Sequence, residues 1–211
     1  MTGSGVPTET PDAGRLTSFD AVVLAGGRAS RLGGVSKPDV RVRGRRMLEH
    51  VLDAVAVAGA RRVAVVGPPT LDVPGGVLLT LEDPPDGGPA AGVAAGLVAL
   101  DAGTDRAAAW VLLLACDLPL VGGAVPLLLG AGAQGPDGAM LVDADGRDQP
   151  LVGIYRRAAL DESVERLERG RGVRGAPVRA VLGDLDVRRL ADADGAAVDV
   201  DTWEAVRLLD G

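Results

Sequence analysis

Short apolar runs, each cut off by glycine, proline or aspartate and separated by helix-length stretches, restrict this chain to an α/β sheet. Residues 19–25 are almost wholly apolar and stop at Gly26, the profile of a buried strand that runs straight into a loop. Met47, Leu48, Val51, Leu52, Val55 and Ala58 then recur at three- and four-residue intervals, marking an amphipathic helix that stops at Gly59. Residues 62–66 and 77–81 read as the next strands, and residues 90–100 have helix-forming composition. Residues 110–115 read as a further buried strand, entering Cys116, Asp117, Leu118 and Pro119, where proline withdraws an amide and ends the pairing. Strands alternating with helices at this spacing predict three layers, α/β/α, around a mostly parallel central sheet. The second half is less regular. Residues 139–142 and 151–155 read as strands bridged by a turn at 143–147, residues 157–168 as a helix, and residues 178–182, 187–190 and 197–200 as further strand-like runs before a last helix from Thr202. No repeat or interdomain linker interrupts this order, so we expect a flexible leader over residues 1–18 and one domain over residues 19–211.

Composition narrows the partners. The chain is 47% hydrophobic but 2% aromatic, so its core is made of Val, Leu and Ala, and it has few rings on which single-stranded nucleic acid could stack. A formal net charge of −7 repels polyanions overall, and an anionic ligand needs a local basic cluster. Arg28, Arg31, Lys37, Arg41, Arg43, Arg45 and Arg46, with Asp39 as the nearby acid, form one. The single cysteine, Cys116, excludes an internal disulfide and multi-cysteine metal sites, which suits a cytoplasmic protein. The first eighteen residues lack the basic and apolar regions of a signal peptide, and no apolar run is long enough to span a membrane.

Lys37 is the sole lysine among 22 Lys and Arg residues, and it closes a loop containing Gly26, Gly27, Gly33 and Gly34. Glycines let a backbone approach a ligand closely, and an ammonium is a compact charge that sits between phosphate oxygens. The loop matches neither G-x-x-x-x-G-K-[ST] nor G-x-G-x-x-G. In an open parallel sheet, ligands bind beyond the carboxyl ends of the strands. Asp83, Asp117 and Asp201 each follow a strand-like run there, and Asp117 with Asp201 could hold a hydrated magnesium ion. His50, within the first helix, and Cys116 read as structural residues.

These residues resemble the molybdenum cofactor guanylyltransferases, the MobA-like nucleotidyltransferases. The likeness is carried by Leu24-Ala25-Gly26-Gly27 with Arg31 and Lys37, Asp83 ahead of Gly88-Pro89-Ala90-Ala91-Gly92, Cys116-Asp117-Leu118-Pro119, Gln149-Pro150-Leu151, and Asp201-Thr202-Trp203-Glu204. Five motifs in family order cover most of residues 19–209. The chain departs from the family at Ser36, where an aspartate commonly precedes the lysine, at Val66-Gly67-Pro68, where an asparagine is frequent, and at Asp201 and Trp203 in place of Asn-Thr-Pro.

The resemblance implies a single-domain Rossmann-like nucleotidyltransferase fold and transfer of GMP from GTP to the phosphate of molybdopterin, with release of pyrophosphate and a requirement for Mg2+. By that likeness Leu24, Ala25, Gly26 and Gly27 frame guanine through the backbone, and Asp83 accepts from guanine nitrogens or orients the nucleotide. Arg31 and Lys37 neutralise the triphosphate, Asp117 and Asp201 hold the metal, and Gln149 and Pro150 line the acceptor side. Lys37, Arg31 and Asp117 are the catalytic candidates. The expected partners are GTP, a molybdopterin-type acceptor and transient contacts with proteins that deliver or accept the cofactor, with no nucleic acid and no membrane.

Overall fold

The computed structural model describes residues 16, 18–26, 35–102 and 107–211. Its spine is a seven-stranded sheet built on β1 (Asp20–Leu24), which pairs in parallel with β4 (Val63–Val66) on one side and β6 (Trp110–Ala115) on the other. Between β1 and β4 the chain makes a small hairpin, β2 (Arg41–Val42) and β3 (Arg45–Arg46), and then helix α1 (Met47–Val57). β5 (Leu78–Thr80) lies parallel to β4 at the sheet edge, and α2 (Pro89–Asp101) returns the chain to β6. After α3 (Ala124–Gly132), β7 (Gly138–Val142) and β8 (Asp148–Arg156) form an antiparallel hairpin, with β8 inserted beside β6. Helices α4 (Arg157–Arg169) and α5 (Arg179–Leu182) precede β9 (Val187–Ala191), which runs parallel to β7, and α6 (Trp203–Asp210) closes the chain. The strand order is β5-β4-β1-β6-β8-β7-β9.

Alternation along the strands explains the three layers. Successive side chains in a strand face opposite ways. Ala21 and Val23 of β1, with Leu112 and Leu114 of β6, therefore join Leu48, Val51 and Val55 of α1 and Leu128 and Leu129 of α3 in one core. Val22, Val111 and Leu113 join Val93, Leu97 and Leu100 of α2 and Leu160 of α4 on the other face. Strands buried on both faces read as continuous apolar runs, which is why β1, β4 and β6 are evident in the sequence. A third, smaller core of Val40, Val42, Met47, Val200 and Val206 fastens α6 to the hairpin. Leu16 is also tied down, its N–H donating to Leu129 O at 3.3 Å.

α2 lies unusually close to the sheet because its facing positions are glycine. A Cβ on Gly96 would fall on Val22 Cγ1 and lie 3.0 Å from Val22 Cγ2 and 3.2 Å from Val66 Cγ2. Gly96→Ala is therefore expected to lower stability by about 1–3 kcal/mol through overpacking, despite the better helix propensity of alanine. A urea midpoint equal to that of the parent chain would contradict this close approach.

Two strand-like runs fold otherwise. Residues 178–182 contain α5, whose Val181 and Leu182 are buried, and an apolar run this short does not distinguish a strand from a helical turn by periodicity. Residues 197–200 join no sheet; the segment is fixed by Val200, which is buried and donates its N–H to Asp117 O at 3.0 Å. Helix α3 is an element that the sequence reading did not assign. Among the described residues no helix is long and apolar enough to cross a membrane.

Candidate functional site

The strand order reverses between β1 and β6: from β1 the chain runs outward through α1 to β4 and β5 and then returns through α2, on the opposite face, to β6, and such a switch point places a crevice beyond the carboxyl ends of β1 and β6. Leu24 and Ala115 are register partners, and Cys116 N–H donates to Leu24 O at 3.0 Å. Asp117 therefore projects two residues beyond the end of β6. The last turn before the hairpin delivers Lys37 to the same edge. Lys37–Asp39 is a 3-10 turn with Pro38 buried beneath it, and Arg46 grips Asp39 Oδ1 through Nε at 2.9 Å and Nη2 at 2.5 Å. Burial opposes the charge on Asp39, but hydrogen bonds with Ser36 and Arg46 outweigh it and hold its pKa below the ordinary value. Ser36 and Asp39, neighbours of the lysine, thus build its turn.

The ammonium of Lys37 pairs with Asp117 Oδ2 and Asp201 Oδ1. Asp201 reaches this place because Val200 is anchored to Asp117 and the third core, while Thr202 caps α6 by accepting from Ala205 N–H at 3.2 Å. Burial works against the Lys37 ammonium, yet the hydrogen bonds to Asp117 and Asp201, with their charges, raise its pKa above the ordinary 10.5. Asp199 joins the two acids: one carboxylate oxygen each from Asp117, Asp199 and Asp201 lie within 4.8 Å of one another. Asp117 is 8% exposed and its Oδ1 is buried without a hydrogen-bond partner. An all-oxygen donor set with one unsatisfied carboxylate oxygen suits a hard divalent cation.

Burial, followed by the charges of Asp201 and Asp117, raises the pKa of Asp199 above the ordinary 3.8. An acid whose folded pKa is raised weakens the fold where it is ionised, above that folded pKa, and ceases to do so once it is protonated in both states. Asp199→Asn is accordingly expected to raise the thermal midpoint at neutral pH without divalent cations, with the gain vanishing as pH falls towards 3.8. Melting curves across that range with no pH-dependent difference would count against the crowding of these acids.

Two cavities adjoin at this cluster. One, of about 330 Å³, is bounded by Leu24, Gly26 and Lys37, by the loop residues Glu82, Asp86 and Gly88, and by the start of α2. Gly88 has φ +84 and precedes Pro89 at the first turn of α2, and Gly92 allows close packing because a Cβ there would be 3.2 Å from Leu24 Cδ2. Helix N-termini favour anions. The other cavity, of about 520 Å³, is lined by Gln149, Pro150, Asp143, Asp192 and Asp199 among others. Gln149 Nε2 donates to Asp143 Oδ2 at 2.9 Å, and Tyr155 OH donates to Pro150 O at 2.8 Å. Ala115, Asp117 and Leu151 line both cavities.

The structure thus brings together Leu24, Gly26, Lys37, Asp117 and Asp201, with Gln149 and Pro150 across Asp117. Ala25 is buried next to them, its N–H donating to Val66 O at 2.7 Å. Asp83 is exposed on the loop whose Glu82 and Asp86 line the smaller cavity. Gly27, Arg28, Arg31, Gly33 and Gly34 lie outside the described residues. The basic cluster disperses. Arg41 bonds Gly44 O, Arg43 bonds Leu209 O, Arg45 pairs with Asp53 and Arg46 with Asp39, so the hairpin arginines fasten the hairpin to α1 and α6. His50, whose Nε2 lies 2.9 Å from Val42 O, holds the same hairpin. Burial, reinforced by Asp117, raises the pKa of the Cys116 thiol, which leaves it protonated.

Beyond the acids expected from the sequence, Asp199 joins the carboxylate cluster, Glu82 and Asp86 line the smaller cavity, and Asp143, Asp145 and Asp192 line the larger one. Asp199 was legible: Val198-Asp199-Val200-Asp201 alternates, which puts both acids on one side of an extended segment when Val200 is buried.

A family profile, the "MobA-like NTP transferase domain", matches residues 21–189. The molybdenum cofactor guanylyltransferase of Desulfosudis oleivorans is 30% identical over 88% of this chain and 87% of its own length. That of Rhodopseudomonas palustris is 31% identical over 71% of this chain and 76% of its own length. Among solved structures, Rv0371c of Mycobacterium tuberculosis superposes with a TM-score of 0.66 at 26% identity, covering 94% of this chain and 98% of its own. The molybdopterin-guanine dinucleotide biosynthesis protein A of Archaeoglobus fulgidus gives 0.65 at 20% identity, covering 91% and 97%, and shows the same fold.

Proposed function

The chain belongs to the MobA-like NTP transferase family, and we propose that its reaction is transfer of GMP from GTP to the terminal phosphate of a molybdopterin acceptor. The observation that carries this reading is the meeting of two cavities at one carboxylate, Asp117. A nucleotidyl transfer needs two sites that share one reacting centre, and two cavities that meet at one carboxylate support that reading. The relatives named as molybdenum cofactor guanylyltransferases support guanine and molybdopterin as the occupants.

In the smaller cavity the backbone of Leu24 and Gly26, with Ala25 buried beside them, frames the base, a role that the family resemblance extends to Gly27. Asp83, with Glu82 and Asp86 on the same loop, offers acceptors to the N1–H and N2–H donors that guanine presents and cytosine lacks in that arrangement. Lys37 and Arg31 offset the charge of the triphosphate. Gln149 and Pro150 line the acceptor side. An oxygen of the acceptor phosphate forms a bond to the α-phosphorus, the bond from that phosphorus to the bridging oxygen breaks, and pyrophosphate leaves with the electron pair. The attacking phosphate is already anionic at neutral pH, so alignment and charge neutralisation suffice without a general base. Asp117, with Asp201 and Asp199, would hold Mg2+, which when bound offsets charge on the phosphates. Lys37 offsets part of the charge of these acids through its pairs with Asp117 and Asp201.

Calorimetric titration with GTP, CTP and ATP, with and without Mg2+, tests the nucleotide half, and pyrophosphate release on adding molybdopterin tests the acceptor half. Tightest binding is expected for GTP with Mg2+. Preference for CTP would overturn the guanine reading, and GTP binding without pyrophosphate release in the presence of molybdopterin would overturn the transfer.

A further inference from the structure

Residues 170–177 connect α4 to α5, carry none of the residues assigned to the reaction, and lie against the loop at residues 84–88 that walls the smaller cavity. Three contacts join this strap to the loop and to the first turn of α2. Gly175 N–H donates to Gly87 O at 2.7 Å, Ala90 N–H donates to Ala176 O at 3.3 Å, and Arg174 Nη1 donates to Pro84 O at 3.2 Å, with Pro85 O at 3.5 Å. The strap itself is well founded. Val173 and Ala176 are buried in the same core as Ala90 and Ala91, and Gly172 N–H donates to Leu167 O of α4 at 2.8 Å. The loop has less to hold it. Glu82 accepts from Gly87 N–H at 3.2 Å, while Asp86 and Gly88 occupy the left-handed region at φ +62 and +84, conformations that need outside support at a non-glycine residue.

We propose that Arg174 is a positioning residue for the nucleotide: its guanidinium, reaching two successive carbonyls, holds the 84–88 loop so that Glu82, Asp86 and Gly88 face the cavity before a ligand enters. This rests on the reading of that cavity as the nucleotide side. Both contacts come from one guanidinium nitrogen, Nη1, so the task needs a cationic donor at this place and not a two-nitrogen fork, and a wall ordered in advance removes a cost that binding would otherwise bear. Arg174 spends these donors on backbone carbonyls, so its effect runs through loop order and not through surface charge. A wall ordered equally for substrate and transition state changes KM and leaves kcat alone.

The test compares the parent chain with Arg174→Ala and Arg174→Lys by GTP calorimetry, steady-state kinetics and amide hydrogen exchange. Arg174→Ala is expected to weaken GTP binding and raise its KM by about five- to tenfold, the range of a lost charge-assisted hydrogen bond, with kcat within about twofold. Exchange at Gly87 and Ala90 is expected to quicken, and Arg174→Lys to recover most of both effects. Unchanged exchange at these amides overturns the proposal, as does faster exchange with unaltered GTP affinity. If the parent chain itself binds no GTP, the functional reading fails and the positioning role with it. Parent binding with an Arg174→Ala affinity equal to it removes the positioning role alone.

Discussion

Asp117→Asn is expected to lower turnover by about a thousandfold, roughly 4 kcal/mol of transition-state stabilisation, while the thermal midpoint stays within about 3 °C of the parent or rises. Both halves follow from one environment. Asp117 is the residue shared by the two cavities, and its Oδ1 is buried without a partner, so it is placed for a ligand at some expense to the fold. It also shares a 4.8 Å cluster with Asp199 and Asp201, so neutralising it relieves repulsion between like charges. Its contact with Lys37 is lost as an ion pair, but Asp201 still holds that ammonium. Single-turnover kinetics at saturating Mg2+, beside a melting curve without it, separate the two effects. Turnover within tenfold of the parent would remove Asp117 from the reacting centre, and a large fall in the midpoint would recast it as a structural acid.

The spine of this fold is legible because physics writes it locally. β1, β4 and β6 are buried on both faces and are apolar apart from Asp20, whose Oδ2 accepts from Ala108 N–H at 2.8 Å, and the chain leaves them at glycine, aspartate or proline. Residues 178–182 were ambiguous for the same reason in reverse. Five residues suffice for a strand or for a turn of helix, and only packing selects: Ser163 Oγ of α4 donates to Val181 O at 2.5 Å and holds the run as a turn. Pro177, which can start a helix but not continue a strand pairing, was the available signal.

The site divides along similar lines. Asp117 is legible from its place after a strand, and Lys37 from its singularity. Their contact is not, because nothing local in the sequence relates Lys37 to Asp201, 164 residues away. The pairing depends on Val200 entering a core with Val40, Val42 and Met47, which is a tertiary fact. The same limit explains the arginines at 41, 43, 45 and 46. In sequence they look like a basic patch beside a glycine loop, yet carboxylates and carbonyls from the hairpin turn, α1, α6 and the preceding turn consume them. Counting nearby acids in sequence underestimates the acids that folding brings near.

Lys37→Ala is expected to lower turnover by about 10²- to 10³-fold and also to cost about 1–2 kcal/mol of stability at neutral pH, a buried ion-pair loss discounted for partial exposure. The second effect follows from geometry. Lys37 pairs with both Asp117 and Asp201, and its removal leaves those acids and Asp199 crowded without that cation. The pH dependence is set by the direction of its shift. A base whose folded pKa is raised contributes its stability fully below its unfolded value, here 10.5, and loses it only as pH climbs through the higher folded value. The stability gap between parent and variant should therefore hold from neutral pH up to 10.5 and narrow in acid as the carboxylates protonate. Mg2+ separates the roles of the side chain. A divalent cation drawn to the three carboxylates is expected to restore the melting temperature of Lys37→Ala and to leave turnover low, because the phosphate contact is still missing. Recovery of turnover along with stability would show that Lys37 serves only to balance the acids, and would leave the triphosphate without its proposed partner.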